Sequence, residues 1–447
     1  MSTRSQLTGQ ARVLALQIAA EIRSDWTFAT DVMARAFRTH RGLPSRDRRA
    51  IAEAVYGLLR FDRLLDAIVD EALARNRGPR RGLSPEARDE VKLTVLELRQ
   101  GLMPADENTR ATLDRIFGFV VPVETLVAED AGLARSSGLD REALKLSFPT
   151  WIFERFVEDM GPAGATALCA SMNLRAPLTV MANTRMIDRH ALAARLSTEG
   201  VESHPTPLAS AGLVFDTRIN AFGLPAFQEG LFEVMDEGSQ LVAEVVAPPP
   251  SARVLDACAG AGGKTLALGA LLGGKGTLLA LDVSGKKLEE LRRRARRAGL
   301  SNVRALAVED GAPLPSEVAT ARWDRVLVDA PCSGLGTLRR NPEARWRLSA
   351  KDLAVLPARQ LVLLVTYAPC VAVGGRLIYA TCTILSSEND RVVERFLAER
   401  PEFQRVPLKE ILGRERAERL GDGLCLRLHP HTHETDGFFA TVLRRVS

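Results

Sequence analysis

The chain has 447 residues, which at roughly 150 residues per domain suggests about three domains. Its 46% hydrophobic and 26% charged residues exclude a disordered chain, and a net charge of +5 is compatible with a polyanionic partner without identifying one. The six cysteines are scattered with no CxxC pair, so neither a zinc site nor a disulfide framework is indicated. No apolar run reaches the roughly 18 residues that would span a bilayer, and Met1 to Gln10 lacks the apolar core of a signal peptide. The expectation is a cytoplasmic, monomeric protein with no membrane and no metal.

Residues 1–145 read as an all-α domain. Leu14, Leu16, Ile18, Ala19 and Ile22 form an amphipathic stretch, and Ser84-Pro85-Glu86 carries a helix-opening pattern of cap, first-turn proline and dipole-matching acid. Basic clusters punctuate it: Arg38, His40 and Arg41, then Arg46, Arg48 and Arg49, then Arg75, Arg77, Arg80 and Arg81. A solvated helix face explains most such clusters, and RNA contact is the alternative.

Phe148-Pro149-Thr150 begins a new unit, read as 146–245. A helix over about Trp151 to Ser171 is followed by a strand at Leu178 to Ala182, a helix over Asp188 to Glu199, and strands near Leu213 to Phe215 and Leu231 to Val234. That order describes a small α+β module. Pro248-Pro249-Pro250 cannot lie inside a helix and marks the next boundary.

Residues 246–447 alternate short apolar runs with helical stretches: Val254-Leu255, Thr277 to Leu281, Val303 to Val308, Val326 to Val328 and Leu377 to Tyr379. This is the pattern of a Rossmann-like α/β domain with a parallel sheet, whose ligands bind beyond the carboxyl ends of the strands. Asp256-Ala257-Cys258-Ala259-Gly260-Ala261-Gly262-Gly263-Lys264-Thr265 follows the first strand and opens a helix. Its small residues let a ligand approach the backbone, although a glycine-rich turn alone is equally well a tight turn. The second strand ends in Asp282, placed for ribose hydroxyls, and the third runs into Glu309-Asp310, placed for an adenine ring. Together these strand ends describe a nucleoside cofactor site; any one acid alone could be a helix cap.

The fourth strand ends in Asp329-Ala330-Pro331-Cys332-Ser333-Gly334 and the fifth in Tyr379-Ala380-Thr381-Cys382-Thr383. Lone cysteines are usually small buried hydrophobes, the reading given to Cys169, Cys370 and Cys425. Two at adjacent strand ends suit covalent chemistry: a thiolate adding to carbon 6 of a cytosine makes carbon 5 nucleophilic toward a sulfonium methyl. Asp329 is the acid available to hydrogen-bond the base.

The segments Asp256 to Thr265, Asp329 to Gly334, Thr381-Cys382 and Asp436-Gly437-Phe438-Phe439 resemble the signature motifs of the Nop/Sun family of RNA cytosine-5 methyltransferases. Phe37 to Arg60 is similar to the NusB-like domain of its bacterial Sun/Fmu subgroup, which acts on 16S rRNA. Residues 150–240, with Asn173, Pro177, Asn183 and Asp236 to Gln240, resemble the family's RNA-binding module. The resemblance implies S-adenosylmethionine as cofactor, held by Cys258, Ala259, Gly260, Ala261, Gly262, Gly263, Lys264, Asp282, Asp310 and Asp329. It implies Cys382 as nucleophile, Cys332 as the residue assisting product release, and RNA as partner. Ala261 stands where the family usually has Pro and Thr383 where Ser is common. Met181 and Met235 replace Arg and Gln in the RNA-recognition region, which bears on the choice of cytosine.

Other signals are weaker. His429, His431 and His433 would share one face of a strand, and the run Arg292, Arg293, Arg294, Arg296, Arg297 reads as the wet face of a helix before it reads as an RNA contact. Asn341-Pro342, with Arg339 and Arg340, borders the substrate groove or is a plain loop. Rival functions are the same chemistry on tRNA, a catalytically silent assembly factor, a DNA cytosine methyltransferase and an amino-group methyltransferase. The last would show Asn-Pro-Pro-aromatic where this chain has Asp329-Ala330-Pro331-Cys332.

Overall fold

The computed structural model describes residues 7–75 and 82–447, so Arg77, Arg80 and Arg81 of the third basic cluster lie outside the described residues. The chain divides into two compact units. One comprises residues 1–174 and 338–350, the other residues 175–337 and 351–447. The long helix opened by Phe148-Pro149 therefore belongs by its contacts with the helical unit, where the sequence places it in a new one.

The first unit is all helix. Gly9–Asp25, Ser45–Arg60, Asp62–Arg75 and Pro85–Arg99 bury their apolar faces around Leu58, Leu65, Val69, Val91 and Val95. The Ser84 hydroxyl accepts the Ala87 amide at 3.2 Å, as the local pattern predicts. Arg38, Arg41, Arg46 and Arg49 are exposed, whereas Arg48 donates to the Leu43 and Arg41 carbonyls and Arg75 pairs with Glu71. Thr150–Met172 is broken at Gly161, φ 74°, ahead of Pro162.

The segment 338–350 is built into this unit. Trp346 donates its indole N–H to the Leu59 carbonyl at 2.8 Å and lies 5.7 Å from Trp26. Arg345 is fully buried, 3.9 Å over the Phe148 ring, and donates to the Ser147 carbonyl and Asn173 Oδ1. Burial lowers its pKa to about 9. The Asn341-Pro342 region thus belongs with an insertion packed among helices.

The second unit contains two sheets. The smaller is antiparallel, in the order β2-β3-β1-β4, with β1 Thr179–Ala182, β2 Ser203–Pro205, β3 Gly212–Phe215 and β4 Phe232–Val234. Strand β2 has three residues and a proline, so it carries no alternation that sequence could show. Met181 and Met235 are buried, 6% exposed each, against Leu241, Val242 and Ala267. Both pack into the hydrophobic core that joins the helix Glu237–Val246 to the larger sheet.

The larger sheet has β5 Arg253–Asp256, β6 Thr277–Asp282, β7 Val303–Ala307, β8 Trp323–Asp329, β9 Val371–Thr381, β10 Phe403–Arg405, β11 Cys425–Leu428 and β12 Phe438–Arg445. Its order is β10-β12-β9-β8-β5-β6-β7, with β11 also paired to β12. The five strands β9-β8-β5-β6-β7 are parallel, as expected; β10, β11 and β12 add an antiparallel edge, so the sheet is mixed. The helix Ala350–Tyr367, with Ala368–Cys370, is long and apolar enough to cross a membrane by length and composition alone. It packs Leu361, Leu364 and Tyr367 into the core beside this sheet.

The arginine run on Gly285–Arg297 has a role that neither reading foresaw. Arg294 and Arg297 both pair with Glu233, buried at the edge strand β4, and Arg297 lies 3.7 Å over the Phe227 ring. Asn183 donates to the Gly230 carbonyl at 3.0 Å and the Ala298 carbonyl at 2.9 Å. These contacts clamp the small sheet to the large one. His429, His431 and His433 lie on and before the helical turn Pro430–His433, not on a strand, and burial lowers the His429 pKa to about 4.

Candidate active site

The loop after β5 is fixed by its neighbours. Ala257 N–H donates to the Leu327 carbonyl and Ala259 N–H to the Leu281 carbonyl, both at 2.8 Å. Gly262 turns into the helix Gly263–Leu271 with φ 91°, and a Cβ there would lie 2.6 Å from Leu291 Cγ, so only glycine fits. A Cβ at Gly260 or Gly263 would meet nothing within 4 Å, which leaves that face of the loop open to a ligand. Ala261 contributes its carbonyl to Arg294 at 2.7 Å.

The acids predicted from the strand ends gather around this loop. Asp282 accepts the Gly260 amide at 2.9 Å on one oxygen and the Ser284 amide at 2.8 Å on the other; each oxygen keeps a lone pair for a hydroxyl. Asp256 is buried, accepts the Thr265 hydroxyl at 2.7 Å on Oδ2, and leaves Oδ1 without a partner. Burial, helped by the Asp329 charge, raises its pKa to about 7. The Cys258 thiol is pushed far up, by burial first and then by the charges of Asp256, Asp329, Asp282 and Asp310. Asp310 stands at the rim, exposed and paired with Arg359 at 2.9 Å.

The second half of the site joins β8 and β9. Their parallel register sets Asp329 beside Ala380, and Ala330 N–H donates to the Ala380 carbonyl at 2.9 Å. The next turns bring Cys332 Sγ to 3.4 Å from Cys382 Sγ, both half-buried. Contact with Cys382 and burial raise the Cys332 pKa well above the usual thiol range, so Cys332 keeps its proton at neutral pH. Asp329 Oδ2 accepts Lys264 Nζ at 2.6 Å, and Lys264 lies 5.2 Å over the Phe438 ring. Burial works against the Lys264 charge, but Asp329 outweighs it and raises the pKa, with Cys382 adding to the same effect. Lys264 thus connects the glycine loop to the end of β8, three residues before Cys332.

A buried carboxylate that the motifs do not flag holds the thiol loop in shape. Glu388 accepts the Ser333 amide at 2.9 Å, the Ser333 hydroxyl at 2.6 Å and Gln360 Nε2 at 2.9 Å. Gln360 also donates to the Pro331 carbonyl, and the Tyr379 hydroxyl donates to the Glu388 carbonyl. A backbone seam closes the far side: Gly336 N–H donates to the Cys382 carbonyl at 2.9 Å and Gly437 N–H to the Gly336 carbonyl at 2.8 Å. A Cβ on Gly336 would sit 2.1 Å from the Gly437 oxygen, which accounts for glycine at that position. Sequence offered no signal for Glu388 beyond its place just before the helix Asp390–Glu399, where an acid reads as a cap.

Known proteins resemble this one over the length of whole chains. Residues 243–444 match the family model for 16S rRNA methyltransferase RsmB/F, and residues 148–221 match the RsmF/B-like ferredoxin-like domain. A probable ribosomal RNA small subunit methyltransferase B from Synechocystis is 33% identical over 97% of this chain and 99% of its own length. This chain belongs to the RsmB/F family of methyltransferases. The ribosomal RNA small subunit methyltransferase B of Pseudomonas putida is 29% identical over 80% of this chain and 90% of its own. A methyltransferase homologue from Pyrococcus horikoshii has a solved structure 26% identical in sequence, with TM-score 0.59 over 69% of this chain and 99% of that one.

Proposed function

We propose that the protein is an S-adenosylmethionine-dependent rRNA cytosine-5 methyltransferase acting on 16S rRNA in the cytoplasm, with Cys382 as nucleophile. The observation that carries the reading is the 3.4 Å approach of Cys332 and Cys382 beside the Lys264–Asp329 pair at the mouth of the glycine loop. The open face above Gly260 and Gly263, the free lone pairs of Asp282 and the partnerless Asp256 Oδ1 fit a ligand with hydroxyls and a cationic head. Cys258 to Lys264, Asp282, Asp310 and Asp329 would hold it. When bound, the cofactor supplies an electrophilic methyl group on sulfur.

The protein's own groups divide the remaining work. The Cys382 thiolate forms a bond to carbon 6 of the cytosine, and the electron pair displaced from the ring double bond makes carbon 5 nucleophilic. Asp329, held by Lys264, hydrogen-bonds the base. After transfer a solvent base takes the proton on carbon 5, the electron pair of that C–H bond re-forms the ring double bond, and the carbon–sulfur bond breaks to return the Cys382 thiolate. The protonated Cys332 thiol, 3.4 Å away, would assist that release by donating to the departing sulfur. The small sheet module and the exposed arginines of the helical unit are proposed to hold the RNA while the target base is flipped out.

Bisulfite sequencing of total RNA from cells with and without the protein tests the reading. The expected result is a 16S rRNA cytosine that resists conversion only when the protein is present. Loss of a protected position in tRNA would move the substrate, and an unchanged pattern across all RNA would overturn cytosine-5 methylation.

A further inference from the structure

Beside the small sheet, the loop 206–210 and the helix Arg414–Leu420 enclose a cavity of about 280 Å³. Three arginines, Arg189, Arg416 and Arg419, line it, and no carboxylate or aromatic side chain does. Two acids lie just behind the loop and are occupied. Glu237, buried, accepts the Leu208 amide at 2.6 Å and the Ala209 amide at 2.7 Å. Glu244 accepts the Ser210 amide and hydroxyl and pairs with Arg416. Arg416 is thereby balanced. Arg189 donates only to the Ala209 carbonyl at 3.1 Å, and exposed Arg419 makes no side-chain hydrogen bond among the described residues. The cavity mouth therefore carries two guanidinium charges with no carboxylate partner among the described residues, Arg189 from the start of the helix Arg189–Thr198 and Arg419 from the helix Arg414–Leu420, facing a loop held from behind.

We propose that this cavity is a phosphate pocket that takes a backbone phosphate of the RNA substrate, outside the reacting centre. Guanidinium groups match phosphate oxygens in charge and geometry. The lining supplies cationic donors, and without an aromatic ring there is no platform for stacking a base. A projecting phosphate with part of its sugar fits both features.

Placement supports RNA as the source of the phosphate. The helix Glu237–Val246 runs from the site to the cavity. At its start, a Cβ on Gly238 would lie 2.7 Å from the Phe438 ring, the ring that Lys264 overlies. Glu237 and Glu244 on this helix both hold the cavity loop. RNA is the phosphate-bearing substrate that the proposed activity brings to this unit, which carries both the thiols and the cavity.

The inference rests on the RNA-methyltransferase reading, and the test separates the two. Arg419→Gln, Arg189→Gln and the double variant are compared with wild type for binding to a 16S rRNA transcript between about 50 and 200 mM salt. Each is checked for unchanged S-adenosylmethionine affinity. A pocket that neutralises one phosphate predicts weaker binding and a salt slope shallower by about 0.7 in the double variant, with Arg419→Lys retaining most of the wild-type slope. Wild-type RNA binding with an identical slope in the double variant overturns the pocket alone. A wild type that binds no RNA overturns both readings. Inorganic phosphate is the second arm: if it raises the wild-type melting temperature but the RNA slope is unchanged, the pocket serves a small anion and the RNA assignment falls.

Discussion

The glycine loop after β5 and the two thiol loops after β8 and β9 lie at the carboxyl edge of one sheet, yet they are held in different ways. The first is fixed mainly by backbone hydrogen bonds to adjacent strands and by one glycine pressed against Leu291, with Asp282 and Arg294 adding one bond each to Gly260 and Ala261. The second depends on side chains far apart in sequence, with Glu388 gripping Ser333 from 55 positions away. A loop fixed by its own backbone keeps its shape when a side chain is removed. A loop hung on a buried carboxylate should lose its shape with that carboxylate.

The largest effect should follow from Glu388→Ala. It strands the buried Ser333 amide and takes one of two hydrogen bonds from each of the Ser333 hydroxyl and Gln360 Nε2, which keep Thr383 and the Pro331 carbonyl, and hydrogen bonds to a charged group contribute roughly 1.5–3 kcal/mol each. A loss of about 3 kcal/mol or more in urea unfolding is expected, with methyl transfer failing while the folded fraction keeps its cofactor affinity. Restoration of much of both by Glu388→Gln would mark hydrogen bonding as the cause. An unchanged midpoint and rate in the alanine variant would dissolve the contrast between the loops.

Asp282→Ala probes the other side. Removal of the ribose contacts should weaken S-adenosylmethionine binding by roughly 1.5–3 kcal/mol, about 10- to 100-fold, in calorimetry. The thiol loops share no hydrogen bond with Asp282, so their reactivity toward alkylating reagents should stay as in wild type. Unchanged affinity would refute the ribose assignment.

A smaller effect belongs to Asp256. Its folded pKa of about 7 lies above the roughly 3.9 of an unfolded aspartate. Between those values the unfolded chain has released a proton that the folded protein retains, so this residue makes stability fall as pH rises from about 4 to 7. Asp256→Asn keeps an acceptor for Thr265 and cannot ionise, so urea midpoints at about pH 5 and about pH 7.5 should differ less than in wild type. An equal difference in both proteins would show that Asp256 does not titrate in this window.

The same contrast explains what could be read in the sequence. The glycine loop, Asp282, Asp329 and both cysteines lie where an apolar run stops, so local pattern located them. The α/β alternation gave the five parallel strands for the same reason. Glu388 and Gln360 announce themselves only through tertiary contacts. So do Arg294 and Arg297: their common partner Glu233 lies on another sheet, and charge on a helix reads as solvation until that partner is seen. Trp346 and Arg345 were hidden likewise, because nothing local shows that residues 338–350 pack among helices formed by the first part of the chain. Strands β2 and β10 were missed for lack of length, at three residues each.

The central claim is that the two thiols act in sequence. Purified protein is incubated with S-adenosylmethionine and a 16S rRNA transcript and run on a denaturing gel, where a thioether survives and a salt-dependent complex does not. With Cys382 as nucleophile, Cys382→Ala should form no adduct and transfer no methyl group. With Cys332 assisting release, Cys332→Ala should transfer methyl and remain trapped on its RNA. An adduct formed by Cys382→Ala and absent from Cys332→Ala would reverse the assignment, and full activity in both variants would contradict thiol catalysis.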